Sequence, residues 1–485
     1  MQIHSHRACL ILICGIAASS VIAVTTAAGA RQVDAVELVE NGLVSAVSIK
    51  GEPAQRRSIQ DEMNRLHVPG VSIAVIRNGQ VAWAKGYGWT REGGLPVTPD
   101  TLFQAGSISK PLTAFAALRL VDKGQLDLDS DVNARLKGWK VPVPMGTRVT
   151  LRELLSHTAG TTVHGFPGYA AGSKIPTVED VLAGRPPAVT KPILVDTAPG
   201  TLWRYSGGGY TIVQKLIGDA TRKSFADVLR EEVLLPSGMR RSSFAQPLGT
   251  ALLKSAAWPH DASGKPLAEG PHVYPELAAA GLWTTPSDLA RFAIAVRKAG
   301  THAPDSLLTP AMTDTMLTPI KAGYGMGLNI LGTGPALSFS HGGSNAGYEN
   351  TFVMFTGSGD GAVVMSNGAQ GGELTGEIIR SIAKAYGWSA YGTVERPSIE
   401  VAPAKAMELA GVYEVANLGD FTIIAKPAGL AISLKDGVSE PLYAMSDGRY
   451  FILSQDMVFS IDISNATTVG RLISGPFDVP FRKIR

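Results

Sequence analysis

Ser107 and Lys110 form the pair with the clearest chemical potential, since three positions separate them in Gly-Ser-Ile-Ser-Lys-Pro. A serine hydroxyl is a weak nucleophile unless a neighbouring base removes its proton. Positions i and i+3 of a helix lie on the same face, so the lysine amine can reach the hydroxyl. At a helix N-terminus the serine N–H has no intrahelical acceptor, and the dipole favours negative charge. The spacing therefore predicts an activated serine whose own N–H helps to bind an oxyanion.

The same spacing also fits an ordinary helix start, in which the serine caps the helix and the lysine is solvated. The flanking residues favour the functional reading. Pro111–Leu120 continues as an apolar run, and a helix that is apolar on most faces is buried. A buried helix carries a serine and a lysine at its start only if they are hydrogen-bonded or functional. Only a buried lysine with a lowered pKa could accept the proton.

Two distant segments carry side chains suited to the same reaction. Tyr205 stands on a glycine-rich stretch, where it could hydrogen-bond a lysine and relay a proton, or simply serve as a core aromatic. His341 is followed by Gly342 and Gly343. Paired glycines let a substrate carbonyl approach the backbone closely, although they also form simple turns. The sequence alone leaves both alternatives open for each segment.

Five segments with such residues follow one another in a fixed order. They are Phe-Gln-Ala-Gly-Ser-Ile-Ser-Lys at Phe103–Lys110, Leu-Leu-Ser-His-Thr-Ala-Gly at Leu154–Gly160, Pro-Gly-Thr-Leu-Trp-Arg-Tyr-Ser-Gly at Pro199–Gly207, Ala279–Phe292, and Ser-His-Gly-Gly-Ser-Asn-Ala-Gly-Tyr at Ser340–Tyr348. Together they resemble the penicillin-recognising serine hydrolases: class C β-lactamases, D,D-peptidases, D-aminopeptidases and related esterases. The resemblance covers roughly Ile59 to Ala385, and five ordered segments are far more specific than Ser-x-x-Lys alone.

The resemblance implies a role for each motif residue. Ser107 would be the acylated nucleophile, Lys110 its general base, and Tyr205 the relay that protonates the leaving group. The backbone N–H groups of Ser107 and Ser344 would form the oxyanion hole. His341 would stand where the family usually has the lysine of Lys-Thr-Gly. His157, in Leu-Leu-Ser-His-Thr-Ala-Gly, is interpreted as structural.

Three departures from the family pattern bear on the substrate. Gly207 replaces the asparagine of Tyr-x-Asn, which would hold a substrate amide. His341 replaces a lysine that faces the substrate carboxylate in β-lactam-cleaving members, and a histidine attracts a carboxylate weakly and in a pH-dependent way. Ala280 falls where class C β-lactamases have an aromatic residue. These changes argue against an efficient β-lactamase, and they leave Gly207, Gly342 and Gly343 as candidate substrate-binding positions.

The elements that must position these residues follow from periodicity and turn signals. Asn78-Gly79 between two β-branched runs predicts a hairpin. Strand patterns lie at Val71–Ile76, Val81–Trp89, Val353–Phe355 and Gly361–Met365. Helical patterns lie at Ile59–Leu66, Leu112–Asp122, Leu151–Leu155, Thr211–Ala220, Phe225–Leu235 and Ser287–Lys298. We expect an α/β fold of the α+β kind, a β-lactamase/transpeptidase-like antiparallel sheet flanked by helices.

The helical periodicity of the chain stops near Thr393–Ala404, which is predicted to be a linker. Beyond it Leu430, Ile432 and Leu434 alternate with small or polar residues, as in a half-buried strand. We expect a serine hydrolase domain at residues 31–395 and a C-terminal all-β, lipocalin-like barrel at 396–485. The segment Thr161–Ala198, rich in Gly, Pro and Thr, is expected to form loops over the cleft.

Residues 1–30 read as a cleavable signal peptide, with Arg7, an apolar run and Ala28-Gly29-Ala30. An uncleaved membrane anchor is the alternative, since the run is rather long. Both cysteines, Cys9 and Cys14, fall in this segment, so the mature chain would have no disulfide and no zinc–thiolate site. The mature protein is expected to be periplasmic or secreted.

The sequence predicts an exported serine hydrolase of peptide or amide bonds, possibly with D-residues, that works through an acyl-enzyme. An esterase or weak β-lactamase is the second reading, and a non-catalytic peptidoglycan- or ligand-binding protein of the same fold is the third. The net charge of +3 without a basic run argues against nucleic acid. We expect no cofactor, no metal and no membrane contact in the mature form, and a possible oligomer through the C-terminal domain.

Overall fold

The computed structural model describes residues 35–53, 55–144, 146–415, 419–427, 429–434, 439–464, 467–475 and 477–485. The predicted signal peptide, with Cys9 and Cys14, lies outside the described residues. In the described part of the chain, no helix combines the length and the apolar character needed to cross a membrane.

A six-stranded antiparallel sheet forms the centre of the hydrolase part, in the order β3-β2-β9-β8-β7-β6. Two short pairs, β1 with β10 and β4 with β5, lie outside it. The strands are β1 Val47–Ile49, β2 Gly70–Arg77, β3 Gln80–Gly88, β4 Phe103–Gln104, β5 Trp283–Thr284, β6 Asn329–Leu331, β7 Ser338–Asn345, β8 Tyr348–Phe355, β9 Gly361–Ser366 and β10 Val394–Arg396. The predicted antiparallel sheet is confirmed.

The hairpin between β2 and β3 shows how local sequence sets the sheet. Asn78 and Gly79 both have positive φ, at 50° and 74°. This conformation suits asparagine and glycine, and it matches the twist of the flanking strands. Seven of the eight residues of β2 are buried, which agrees with its continuous β-branched run.

Helices cover both faces of this sheet. Helix α12 packs against β8 and β9 together with α2, while α10 packs against β2, β8 and β9. The helices are α1 at 35–40, α2 Ile59–Arg65, α3 Ser109–Asp122, α4 Leu151–Leu155, α5 Val178–Ala183, α6 Gly207–Thr221, α7 Phe225–Leu229, α8 Thr250–Leu253, α9 Leu277–Ala280, α10 Pro286–Gly300, α11 Pro310–Leu317, α12 Gly371–Tyr386 and α13 Pro403–Leu409.

Helix α3 is the buried axis of the helical part. Eleven of its fourteen residues are buried, and it contacts α6, α7, α9 and α11. The apolar pattern predicted this burial. Phe225–Leu235 differs from its prediction as a single helix, because α7 passes into a π-helical segment at Arg230–Leu234.

The C-terminal region is a closed eight-stranded antiparallel barrel, as its alternating pattern predicted. Its strands are β11 Gly411–Val415, β12 Gly419–Lys426, β13 Gly429–Ser433, β14 Ser439–Ala444, β15 Arg449–Phe451, β16 Val458–Ser464, β17 Thr467–Ser474 and β18 Phe477–Lys483. Strand β18 closes the barrel on β11. The interior is packed with apolar and aromatic side chains, among them Tyr413, Phe421 and Phe459.

The predicted linker Thr393–Ala404 is more structured than a linker. It contains β10, which pairs in parallel with β1, and the first residues of α13. This pairing ties the segment before the barrel to the N-terminal region. The domain boundary at residues 395 and 396 itself stays a prediction.

Candidate active site

Ser107 is the one residue of the stretch 101–110 that is not fully buried. It lies in a 3₁₀ turn, Gly106–Ile108, that runs directly into α3. The candidate nucleophile therefore lies two residues before the first residue of the α-helix, and not in its first turn. Backbone N–H groups at such a helix start have no acceptor inside the helix, so they are free to face an anion.

Lys110 is almost completely buried, with 2% of its surface exposed. Its Nζ lies 3.0 Å from Ser107 Oγ and donates a hydrogen bond to the Ala279 carbonyl at 2.9 Å. Burial lowers the pKa of Lys110 from 10.5 to about 7. Since no carboxylate among the described residues pairs with this amine, the neutral form is well populated at neutral pH.

Tyr205 lies beside this pair and is only partly buried. Its hydroxyl is hydrogen-bonded with Ser107, and Lys110 Nζ lies 4.8 Å from its ring centroid. Burial raises the pKa of Tyr205 well above its usual value, and the hydrogen bond with Ser107 offsets a part of that rise. The phenol is therefore protonated at neutral pH and can donate a proton.

His157 packs against Tyr205 and is hydrogen-bonded to the residue that follows it. Its Nδ1 accepts a hydrogen bond from the Ser206 N–H at 3.1 Å, and its ring lies 4.3 Å from the Tyr205 ring. The imidazole is 1% exposed, and burial holds its pKa well below 6.5. This position fits the structural role expected for His157.

Strand β7 brings Gly342, Gly343 and Ser344 to Ser107. Any Cβ on Gly343 would lie 1.9 Å from the Ala105 carbonyl oxygen, and one on Gly106 would lie 2.7 Å from Ser344 N. Glycine at both positions is therefore required for β7 to contact the 3₁₀ turn. The neighbouring strand β6 pairs only with the first three residues of β7, at 338–340. The backbone beyond residue 340 thus keeps one edge for a substrate.

His341 lies in the same cavity wall but is already hydrogen-bonded on both ring nitrogens. Nδ1 lies 2.5 Å from the Gly342 carbonyl, and Nε2 lies 3.2 Å from the Tyr324 hydroxyl. Burial and the charge of Lys110 lower the pKa of His341 to about 3. The imidazole is therefore neutral in the physiological range. We expected a pH-dependent attraction for a substrate carboxylate, and this environment gives no support to that idea.

Ser107, Tyr205, His341 and Ser344 line one cavity of about 910 Å³. The cavity extends from Ser107 along β7 and α12 to the barrel, where Ser454–Asp456 form part of its wall. Residues from three of the five ordered sequence segments, those at Phe103–Lys110, Pro199–Gly207 and Ser340–Tyr348, thus share one open cleft. The arrangement supplies a nucleophile, a buried amine, a phenol and a strand edge.

Comparison with known proteins supplies the family. A family model described as Beta-lactamase matches residues 56–386. The chain belongs to the Beta-lactamase family. The resemblance to penicillin-recognising serine hydrolases is thereby confirmed, and the chain is a hydrolase-family protein with the β-lactamase-like fold.

Individual relatives of this Beta-lactamase family protein cover most of its length. It is 27% identical to "Penicillin-binding protein 4" of Amycolatopsis lactamdurans over 375 residues, which cover 72% of this chain and 93% of the relative. The solved octameric penicillin-binding protein homologue from Pyrococcus abyssi matches with a TM-score of 0.57 at 23% identity, covering 88% of this chain and 98% of that one. A D-amino acid amidase from Ochrobactrum anthropi SV3 matches with a TM-score of 0.55 at 20% identity, covering 68% and 97%. Structural likeness at these identities shows a common fold.

Three amide side chains that sequence reasoning did not single out position β7 in this Beta-lactamase family protein. Asn345 Nδ2 donates to Gln104 Oε1 at 2.8 Å and to the Ala280 carbonyl at 3.1 Å. Asn350 Nδ2 donates to the Gln104 carbonyl at 2.9 Å and to that of Gly343 at 3.2 Å. All three amides are buried, so they lock the strand edge at a fixed distance from the 3₁₀ turn. Gln104 and Asn345 lie within ordered motifs, but nothing in the sequence marked them as hydrogen-bond partners, and Asn350 lies outside every motif.

Gly207 and His164 meet at the other side of Tyr205. Gly207 begins α6, and its N–H donates to the His164 carbonyl at 2.9 Å. The His164 side chain lines the cavity, and its ring lies 5.0 Å from the Tyr205 ring. His164 was missed because it falls in the Gly-, Pro- and Thr-rich segment, where only loops were expected. That segment also contains helix α5, which the prediction did not include.

A carboxylate cluster lies between α2 and α12, and its member Glu373 also lines the cavity that contains Ser107. Glu62, Glu373 and Glu377 bring oxygens within 4.8 Å of one another. Arg57 pairs with Glu62 and Glu377, and Arg65 pairs with Glu62 and Glu373. Since Arg57 and Arg65 between them pair with all three carboxylates, the cluster fits an ion-pair network that joins α2 to α12. That the protein needs no metal or cofactor stays a prediction.

Proposed function

We propose that this protein is an exported serine hydrolase that cleaves peptide or amide bonds through an acyl-enzyme on Ser107. The observation that carries the proposal is the buried Lys110 amine, 3.0 Å from Ser107 Oγ and without a carboxylate partner among the described residues. A neutral amine at that distance is a competent general base. A solvated lysine with its ordinary pKa would not be.

Acylation begins when the Lys110 lone pair accepts the Ser107 proton and Oγ attacks the substrate carbonyl. The negative charge that develops on the carbonyl oxygen is stabilised by the N–H groups of Ser107, in the 3₁₀ turn, and Ser344, on β7; both residues line the cleft. Lys110 then carries a positive charge, which favours return of the proton.

Departure of the leaving group requires a proton on its nitrogen. The Tyr205 phenol, hydrogen-bonded with Ser107, passes a proton to that nitrogen and is reprotonated from the Lys110 ammonium. The amine leaves and Ser107 holds the acyl group as an ester. A water molecule, deprotonated by the same groups, then hydrolyses the ester and restores the free serine.

The shape of the cleft supports a peptide-like substrate. An extended chain can hydrogen-bond to the open edge of β7 beyond residue 340, and the cavity of about 910 Å³ has room for several residues. Amide hydrolysis of D-residues is supported by analogy alone, since one protein of the same fold is a D-amino acid amidase.

An esterase is the second candidate function, and weak β-lactamase activity belongs with it. The observations that favour it are Gly207, which offers no side-chain amide, and the neutral His341, which offers no charge for a carboxylate. An ester that carries neither an amide for position 207 nor a carboxylate for position 341 loses no binding contact at such a site.

Two measurements test the proposal. Purified mature protein is incubated with a fluorophosphonate probe and mapped by peptide mass spectrometry, with Ser107→Ala as the control; we expect label on Ser107 in the wild type and none in the variant. The protein is then assayed with D- and L-aminoacyl anilides, p-nitrophenyl esters and nitrocefin. Anilide turnover supports the proposal, ester turnover alone supports the esterase, and absence of label on Ser107 points to a binding protein.

We further propose that the mature chain is periplasmic or secreted, that it takes a small-molecule or peptide substrate, and that the barrel supports an oligomer. The export-like N-terminus and the octameric state of the Pyrococcus abyssi protein support these points. Cell fractionation with N-terminal mass analysis tests the first, and light scattering of the mature protein tests the last.

A further inference from the structure

The loop at residues 162–166 closes over the start of α6 in an unfavourable backbone conformation. Val163 has φ of +63°, a region that β-branched residues rarely adopt. The conformation is held by hydrogen bonds from Gly208 N to the Val163 carbonyl at 3.0 Å and from Ser206 Oγ to the Thr162 carbonyl at 2.6 Å. Backbone strain of this kind persists only where the surroundings enforce it, and it concentrates at functional sites.

The loop fills the space into which a side chain at position 207 would project. A Cβ on Gly207 would lie 3.0 Å from Phe166 Cε2 and 3.1 Å from the His164 carbonyl oxygen. The asparagine that the family pattern places here could not extend without moving the loop. The glycine and the loop therefore belong together, and the loop supplies its own side chain to this wall of the cleft.

That side chain is the His164 imidazole, which is exposed and lines the cavity with Ser107 and Tyr205. Its ring rests against the Tyr205 ring at 5.0 Å with an interplanar angle of 44°. Within the described residues neither of its ring nitrogens has a hydrogen-bond partner, whereas both nitrogens of His341 are occupied. Of these two histidines in the cavity wall, His164 is thus the one with a donor and an acceptor to offer.

We propose that His164 is a specificity-determining residue that binds the polar group next to the scissile carbonyl on the acyl side of the substrate. A neutral imidazole carries one donor and one acceptor, so it matches a secondary amide such as the N-acyl group of a peptide. The inference rests on the proposed hydrolase function and refines it. The preferred substrate carries an amide at the α-carbon of its acyl part, rather than a simple aliphatic or aryl acyl chain.

The kinetic test uses two esters that differ only in that amide: the p-nitrophenyl esters of N-acetylphenylalanine and of 3-phenylpropanoic acid. We expect His164→Ala to lower the ratio of their kcat/KM values about tenfold, the effect of losing one hydrogen bond in a site. His164→Gln, which retains a donor and an acceptor, should recover most of that ratio. The control is His302→Ala, an exposed histidine on the chain after α10 that pairs with Asp314, and it should leave the ratio unchanged.

A binding measurement separates this inference from the proposed reaction. In the Ser107→Ala background, calorimetry compares N-acetylphenylalaninamide with 3-phenylpropanamide, with and without His164→Ala. We expect the histidine to matter only for the acetylated ligand, whether or not the wild type proves to hydrolyse anything. Equal weakening of both ligands, no weakening of either, or failure of both to bind would overturn the role of His164.

Discussion

At the scale of single residues, the Lys110 amine is the group on which the proposed reaction depends. It is enclosed by α3, α9 and the Tyr205 and Tyr210 rings, and its described hydrogen bonds go to Ser107 and the Ala279 carbonyl. A lysine in such surroundings destabilises its charged form, so it remains there at a cost to the fold. That cost is understandable if the neutral amine is needed as a base.

Removing Ser107 and Lys110 together should be hardly worse than removing either one. Each single change to alanine should lower kcat by about 10³-fold or more, because the two groups act as a unit. Turnover of the best substrate from the panel is measured for both single variants and the double variant. Independent, multiplying effects would show that the two residues do not act on the same step.

The rate of acylation should depend on pH through the ionisation of Lys110. Its pKa is lowered from 10.5 to about 7, so the amine is protonated and inactive as a base below pH 7. We expect the fluorophosphonate labelling rate of Ser107 to rise through pH 7 and to level off above it. A labelling rate that rises only above pH 9 would mean that the amine keeps the pKa of a solvated lysine.

Sequence reasoning found Ser107, Lys110, Tyr205 and Ser344 because each lies in an ordered motif with chemistry of its own. Their roles remain predictions. In the structure Ser107, Tyr205 and Ser344 line one cleft, and the buried Lys110 amine lies 3.0 Å from Ser107 Oγ. The surroundings of His341 could not be foreseen, because Tyr324 reaches it from a segment that carries no motif.

At the scale of elements, the contact of β7 with the 3₁₀ turn sets the geometry of the proposed oxyanion hole. The two glycines of β7 offer a matched pair of variants. A Cβ on Gly343 would meet the Ala105 carbonyl at 1.9 Å, whereas one on Gly342 would find its nearest atom, the Asn350 carbonyl oxygen, at 3.7 Å.

Gly343→Ala should therefore displace β7 from Ser107 and lower kcat/KM by about 100-fold, the scale of losing an oxyanion-hole donor. Gly342→Ala should keep the sheet in place and change the activity far less. Both variants are assayed with the same ester, and thermal unfolding is recorded in parallel. Equal activity losses in the two variants would argue that this contact does not set the site.

A buried acid that the proposed reaction does not use lies directly before helix α9. Glu276 is fully buried, and neither carboxylate oxygen has a hydrogen-bond partner among the described residues. Burial raises the pKa of Glu276 from 4.5 to about 8. The folded state thus keeps a proton that the unfolded state loses, so this stabilising contribution is complete below pH 4.5 and declines as the pH rises to 8.

Glu276→Gln should abolish this decline because glutamine never ionises. We expect the variant to be more stable than the wild type by about 1–3 kcal/mol at pH 9, because only the wild type must then bind a proton or bury a charge when it folds, with a smaller difference at pH 5. Urea unfolding of both proteins at pH 5 and pH 9 measures this difference in the free energy of unfolding. Glu408→Gln, an exposed acid paired with Lys405, is the control and should show no such dependence.

Periodicity predicted the strands and helices that hold the site, since β2, β3, α3, α4 and α10 each carry a clear apolar pattern. The loop at 162–166 was not predictable in the same way. Its conformation depends on hydrogen bonds from Ser206 and Gly208, which are about forty residues away, and on a strained Val163 that local propensity disfavours.

At the scale of the whole molecule, the barrel takes part in the cleft. The segment Ser454–Asp456 lines the cavity that contains Ser107, and it is held by Glu440, which accepts from Ser454, and by an Arg396–Asp456 ion pair. The alternating pattern predicted the barrel. The pattern did not predict that the barrel would reach the cleft, because that position depends on how β10 pairs with β1.

Loosening this segment should matter for long substrates and not for short ones. We expect Asp456→Ala to lower kcat/KM about 3- to 10-fold for a tetrapeptide anilide and to leave kcat/KM for p-nitrophenyl acetate unchanged. The variant removes the Arg396–Asp456 ion pair from the barrel end of the cleft, which only the longer substrate would reach. The control is Asp478→Ala, which breaks an exposed pair with Arg471 elsewhere on the barrel. A similar loss with the acetate ester would indicate a general structural effect.

The protonation state of Lys110 can be measured directly. Lysine labelled at Cε with ¹³C is incorporated, Lys110 is assigned by its loss in Lys110→Arg, and the chemical shifts are followed from pH 5 to 11. We predict that the Lys110 signal titrates near pH 7, well below the 10.5 of a freely solvated lysine. If Lys110 titrates together with the exposed lysines, it is not the base that activates Ser107.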